Sequence, residues 1–259
     1  MKSIDAEAIH RLPGIPLKKS DTFQFRCHSG LSCFNQCCRN LNLFLYPYDI
    51  LRLRKSLGLD SDQFLDRHVD VVLRDGNHFP DVLLRMADND SRTCPFLGSE
   101  GCTVYSDRPD TCRTFPVEHG LLFGDRPGES KTISFFRPPD FCQGQHENQE
   151  MTLDRWANDQ DAVMHNRMTI RWASVKAMFH RNPWGPEGMN GAKGKMAFMA
   201  AYNIDRFREF VFGSSFLKRY RIKKALAKKL RTSDRELLLF VFEWIQYFVW
   251  GIPSKNIRA

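Results

Sequence analysis

Eight cysteines lie between Cys27 and Cys142, and the rest of the 259-residue chain has none. The first group is Cys27-x5-Cys33-x3-Cys37-Cys38, the second is Cys94-x7-Cys102-x9-Cys112, and Cys142 stands apart. Thiolate sulfur is a soft donor that suits zinc, copper(I) and the iron of iron–sulfur clusters. A structural zinc takes four such ligands in a tetrahedron, and a 4Fe–4S cubane also takes four cysteines. Eight thiols could therefore furnish two sites, or one site with spares.

Spacing refines this. Cys33 and Cys37 are four apart and would share a face on a helical turn. Cys38 would then point about 100° away. The adjacent pair is thus expected to face different neighbours, one joining the N-terminal ligand set and the other a set with Cys94, Cys102 or Cys112. A single cysteine is more often a small buried hydrophobe than a ligand. Eight clustered thiols in a reducing compartment read as metal ligands before inert core residues or disulfides. His28 and His146 follow Cys27 and Cys142 closely, but with eight thiols at hand they read as surface residues.

Arg108 and Arg113 flank Cys112. A site with several thiolates is anionic, and guanidinium groups beside it would offset that charge and hydrogen-bond sulfur, which makes both arginines candidates for cofactor binding. Pro95, Pro109 and Pro116 would stiffen the turns presenting the ligands. Tyr105 reads as core.

The elements that must carry these residues follow from pattern. Pro47 to Leu57 reads as a short helix stopped by Gly58. Ser61 or Asp62 would cap a second helix from Gln63 to Leu73. Val82 to Met86 suits a strand, and Cys94 to Tyr105 a hairpin-like turn around Gly98-Ser-Glu-Gly101. Lys131 to Phe136 suits another strand. From Leu153 to His180 the period is helical, with Met164, Met168, Trp172, Val175 and Phe179 on one stripe. Asn182 to Lys195 reads as a Pro/Gly-rich loop. It lacks the Gly-Lys-Ser/Thr ending of a phosphate loop, since Met196 follows Lys195. Helices are then expected over Asn203 to Phe212, Leu217 to Leu230 and Ser233 to Trp250, the last apolar enough to pack into a core.

The expected fold is α+β, predominantly helical. A cysteine-rich metal-binding core with a small sheet or hairpin, residues 21–150, precedes a helical basic C-terminal region, residues 151–259, packed on it. Aromatic content of 12% and hydrophobic content of 42% argue against disorder. Asp5, Glu7 and Arg11 with no apolar run near the N-terminus do not make a secretory signal. Apolar runs such as Leu237 to Phe242 are too short to span a bilayer, so no transmembrane segment is expected and a cytoplasmic location is.

The series Cys33-x3-Cys37-Cys38, Cys94-Pro-Phe-Leu, Gly101-Cys102-Thr-Val-Tyr and Arg108-Pro-Asp-Thr-Cys112-Arg-Thr-Phe-Pro116 resembles the YkgJ-like cysteine-cluster family. That family is described as a zinc- or iron-chelating domain of bacteria. The resemblance runs from Phe25 to Cys142 and implies a metal-ligand role for Cys27, Cys33, Cys37, Cys38, Cys94, Cys102, Cys112 and Cys142. The family's usual opening is Cys-x2-Cys-x2-Cys-Cys, whereas the gaps here are five and three. Flagellin lysine N-methylases have a related-looking cluster, but no separate signature here supports methyl transfer, and the resemblance implies no particular reaction.

The chain carries a formal net charge of +8. Lys218 to Arg231 holds Lys218, Arg219, Arg221, Lys223, Lys224, Lys228, Lys229 and Arg231 without an acid, over apolar Ile222, Ala225, Leu226 and Leu230 at helical spacing. Such a basic amphipathic helix is compatible with an acidic protein, nucleic acid or an anionic membrane surface, or with a solvated outer face. Besides a metal-trafficking or chelating role, which the family resemblance suggests, two readings of function result. In the first, the thiolates hold an iron–sulfur cluster (4Fe–4S) or zinc, in a redox or protein-modifying role. In the second, zinc stabilises a non-catalytic module whose basic helix docks a partner.

Overall fold

The computed structural model of the protein describes residues 2–4, 13–123 and 130–258. Asp5, Glu7 and Arg11, on which the reading of the N-terminus rests, lie outside the described residues. In chain order the strands are β1 (Lys2–Ile4), β2 (Ile15–Leu17), β3 (Thr22–Gln24), β4 (Val69–Val72), β5 (Asp81–Leu84), β6 (Leu97–Gly98), β7 (Gly101–Cys102), β8 (Val117–Phe123), β9 (Ser130–Phe136) and β10 (Glu150–Thr152). The helices are α1 (Pro47–Ser56), α2 (Ser61–His68), α3 (Asp110–Thr114), α4 (Leu153–Asp159), α5 (Val163–Met178), α6 (Ala192–Tyr202), α7 (Ile204–Gly213), α8 (Phe216–Arg219), α9 (Lys224–Thr232) and α10 (Asp234–Trp250). The fold is α+β and predominantly helical, with small sheets and a helical C-terminal part.

The chain forms two compact units, residues 1–43 with 86–174, and residues 44–85 with 175–259. All eight cysteines belong to the first. Its sheet has the order β1-β8-β9-β2, with β1 parallel to β8 and the other pairs antiparallel. A separate pair joins β3 to β10 in the register Thr22 opposite Thr152. Phe23, Phe25, Val117, Phe136, Met151 and Trp156 pack into one core, and Cys142 is part of it. The Trp156 indole meets the rings of Phe23 and Phe25 edge-on and donates from Nε1 to the Thr114 carbonyl at 3.0 Å. This fixes α3, which carries Cys112, onto the strand that leads to Cys27.

In the second unit α10 is capped by Ser233, which accepts from the Glu236 amide, and Gly251 ends it with a positive φ of 68°. Leu237, Leu238, Val241, Trp244 and Ile245 are buried. Arg54 of α1 is nearly buried between Asp205 at 3.1 Å and Asp234 at 2.7 Å.

Several expected boundaries move. The second helix is capped by Asp60, whose carboxylate accepts from the Gln63 amide in a capping box. Ser61 instead donates to Asp205 from its amide and hydroxyl. That helix ends at His68, because β-branched Val69, Val71 and Val72 pair with β5 rather than continue the spiral. The long helix from Leu153 breaks between α4 and α5 at Asp161, which adopts a φ of 50°. Within it Met168, Trp172, Val175 and Phe179 are buried. The Asn182–Lys195 segment holds a 3-10 stretch at Gly185–Asn190 and the first turn of α6. The basic stretch is two helices, because Tyr220 packs against Phe216 and Arg221 leaves the spiral to pair with Arg258.

Candidate metal centre

Three stretches of backbone bring the thiols together. Strand β3 runs into Phe25 and Arg26, whose amides donate to the carbonyls of Gln149 at 2.9 Å and Gly144 at 3.0 Å. These bonds tie the chain just before Cys27 to the segment just after Cys142. From His28 to Cys38 the backbone is a succession of turns rather than a regular helix. Gln36 donates to the Cys33 carbonyl at 3.0 Å, and Asn35 takes a left-handed φ of 64° before the 3-10 turn Gln36–Cys38. The Arg39 guanidinium closes this turn by donating to the Asn35 carbonyl at 2.7 Å.

Arg39 then bridges Thr93, and the Cys94 amide donates to the Cys38 carbonyl at 2.8 Å. This sets the second cysteine group beside the first. The β6–β7 hairpin pairs Leu97 with Cys102, and Gly101 makes the reversal with a φ of 122°, a conformation costly for any residue with a side chain. Cys112 sits on α3. Cys142 immediately precedes the 3-10 turn Gln143–His146, whose first amide, Gln143 N–H, donates to Cys33 Sγ at 3.2 Å.

None of the eight cysteines is paired in a disulfide. Their electrostatics form one connected chain. Burial raises the Cys27 thiol above its ordinary range, and the charges of Cys142, Cys33 and Cys38 raise it further. Burial also raises Cys142, with Cys33 adding to it. Cys94 is pushed up to about 11 by burial, with Cys38 and Cys102 contributing. Cys102 rises by burial and by Cys38. The adjacent pair splits: Cys37 donates its S–H to Cys38, which raises Cys37 and lowers Cys38 to about 7, with the Arg39 charge lowering it further. Cys37 also feels Cys112 and Cys27. Cys27, Cys33 and Cys142 thus influence one another, Cys38 influences Cys94 and Cys102, and Cys38 also reaches Cys27. Cys37 links Cys112 to Cys38 and Cys27.

Opposing this repulsion are backbone amides aimed at sulfur. Phe96 N–H serves Cys94, Val104 N–H serves Cys102, and the Gly144 and Gln145 amides serve Cys142. Each such bond favours the thiolate. With Gln143 on Cys33, the sulfurs of Cys33, Cys94, Cys102 and Cys142 each have a main-chain donor. Among the described residues, no three His, Cys, Asp or Glu side chains stand in a ligating arrangement. The donor set itself fits a soft metal: sulfur only, crowded with its own kind, costly to ionise without a cation, and provided with N–H groups for the anionic form.

The two arginines differ. The Arg108 charge lowers Cys102, while its guanidinium donates to the Tyr105 carbonyl and Gln160 and covers the Tyr105 ring at 3.8 Å. Tyr105 is 60% exposed rather than part of the core, its ring shielded by that arginine. Arg113 is buried and donates at 2.7 Å to the carbonyls of both Ser106 and Gln160, so it braces the backbone around α3. The His28 ring accepts from the Gly30 amide at 3.2 Å and lies 3.5 Å from the Glu147 carboxylate. Sequence reasoning missed Arg39 and the five amide donors. Main-chain groups leave no mark in side-chain spacing, and only Gly144, two residues after Cys142, hints at a tight approach.

Comparison with known families gives one match. The family CxxCxxCC, described as "Putative zinc- or iron-chelating domain", matches residues 26–153 and so spans all eight cysteines. No curated protein and no solved structure matches the chain.

Proposed function

Residues 26–153 match the CxxCxxCC family, and from that premise we propose that the protein holds iron or zinc through its eight cysteine thiolates. What supports the reading is the pair of backbone bonds, Cys94 N–H to the Cys38 carbonyl and Arg26 N–H to the Gly144 carbonyl, that set the two cysteine groups and Cys142 along neighbouring stretches, with N–H groups aimed at the sulfurs of Cys33, Cys94, Cys102 and Cys142. Cys27, Cys33 and Cys142 would form one ligand group and Cys94, Cys102 and Cys112 the other. The adjacent Cys37 and Cys38 would complete one each, giving four sulfurs per zinc or per 4Fe–4S cluster. When bound, the metal supplies positive charge that replaces the thiol protons.

The chain's own residues do the rest. Cys38, the most acidic thiol of the adjacent pair, is the thiolate best prepared to receive a cation. The amides of Phe96, Val104 and Gly144 oppose the burial that raises Cys94, Cys102 and Cys142, and the Gln143 amide donates to Cys33 Sγ. Arg39 and Arg108 offset negative charge at Cys38 and Cys102.

Anaerobic purification followed by iron, zinc and acid-labile sulfide analysis, with a visible spectrum, tests the proposal. Iron matched by sulfide in a brown protein assigns clusters, and stoichiometric zinc in a colourless protein assigns zinc sites. Absence of both metals from protein with eight titratable thiols would end it.

A further inference from the structure

We propose that the second unit carries a binding surface for the phosphodiester backbone of a nucleic-acid duplex, built on α9 and on the pairing of Arg221 with Arg258. The eight basic residues between Lys218 and Arg231 are all exposed. Among the described residues, no carboxylate forms an ion pair with any of them. On α9, Lys224, Lys228 and Arg231 follow at helical spacing and share a face.

The fold adds a cation that the basic run does not contain. Arg221 and Arg258 form an antiparallel bridge, the Arg221 amide donating to the Arg258 carbonyl at 2.7 Å and the reverse bond measuring 3.4 Å. Directly opposed residues in such a bridge project to the same side, and like charges placed so are destabilising. Both side chains are exposed. Among the described residues no carboxylate forms an ion pair with either arginine, and two guanidinium groups carried by opposed residues of one bridge can form a fork suited to a bridging phosphate.

The nature of the polyanion follows from what lies under the charges. A helix that enters a membrane needs a free apolar face. Here Leu230 is fully buried and Leu226 and Ala227 are partly buried, so that face is already occupied. Single-stranded nucleic acid is gripped by exposed aromatics that stack on bases. Tyr220, the aromatic within the run, is 5% exposed and packed on Phe216 and Tyr247. A rigid array of cations without insertable or stacking groups fits a duplex backbone, read without regard to sequence.

The test is fluorescence anisotropy with a labelled 20-base-pair DNA duplex and the full-length protein. Lys224, Lys228, Arg231, Arg221 and Arg258 engage about five phosphates, so log K should fall with log salt at a slope of about −4.5. Affinity would then drop about 500-fold between roughly 50 and 200 mM salt. R221Q/R258Q should flatten the slope by about 2, with an unchanged circular dichroism spectrum. K224Q/K228Q should do the same should the first variant misfold. No binding at low salt, unflattened slopes in well-folded variants, or tighter binding to the single strand would each overturn the proposal. So would sedimentation with phosphatidylserine vesicles at higher affinity than for the duplex. The cysteines are all in the other unit, so duplex binding should survive chelation and does not depend on the metal reading.

Discussion

Gly144 is where packing and metal binding meet, and replacing it with alanine should damage both. The new Cβ would lie 2.7 Å from the Arg26 carbonyl oxygen, 2.9 Å from Phe25 Cε2 and 3.3 Å from the Arg26 carbonyl carbon. Two of these are backbone atoms, and Phe25 is 1% exposed, wedged against Phe115, Phe136 and Trp156. No flexible side chain can absorb the contact, so the two backbones must part by several tenths of an ångström. Overpacking of this kind costs about 1–3 kcal/mol. The lower unfolded-state entropy of alanine offsets about 0.4–1 kcal/mol. A net loss of about 1–2 kcal/mol corresponds to a Tm lower by about 2–8 °C at this chain length.

The same displacement draws the Gly144 amide away from Cys142 and moves Cys142 from Cys27. Loss of an outer-shell partner typically weakens metal binding by about 10- to 100-fold, so G144A should release metal to a colorimetric chelator at least about ten times faster. Thermal denaturation and stopped-flow chelation read the two effects. Gly213→Ala is the control, since a Cβ there meets nothing within 4 Å. A G144A protein with the wild-type Tm would refute the packing argument. A lowered Tm with wild-type metal release would refute the link between this loop and the metal.

Other outcomes follow from the same geometry. Arg113→Ala removes the donors to the Ser106 and Gln160 carbonyls and should lower stability by about 3 kcal/mol; metal analysis should show reduced content because α3 carries Cys112. Arg54→Ala leaves Asp205 and Asp234 without their shared cation and should cost about 3–5 kcal/mol in chemical denaturation, with metal content per folded chain unchanged. His119 bonds to the Ser134 hydroxyl at 2.9 Å, and burial holds its pKa down to about 4. Its neutral form is favoured on folding, so its contribution is fully present above about pH 6.5 and is lost as pH falls towards 4, by at most about 3 kcal/mol. Denaturation curves at pH 7 and 4.5 should differ by less in His119→Gln than in the wild type.

Much of the secondary structure was legible because local chemistry agreed with the final packing. Helix α10 shows its Ser233 cap and its Gly251 stop, and the β6–β7 hairpin is announced by Gly98 and Gly101. Legibility failed where tertiary partners overruled local pattern. Val69 to Val72 has enough apolar residues to extend a helix, but β5 offers a ladder. The basic run has unbroken helical spacing, but the C-terminal segment captures Arg221. Helix α6 begins behind Gly191 in a stretch dense with glycine, where propensity alone reads as loop. At the candidate metal centre, residue types and spacing made the cysteines conspicuous. Which sulfur neighbours which depends on the Cys94–Cys38 backbone bond and on the Arg26–Gly144 bond, and neither has a signature in the sequence.

The most direct test is anaerobic native mass spectrometry of the intact chain, paired with counting of alkylated thiols before and after chelation. Bound iron or zinc should appear as added mass, with the eight cysteines protected until the metal is stripped and all eight modified afterwards. A native mass equal to that of the polypeptide alone, with eight thiols reactive from the start, would contradict metal ligation by this cluster.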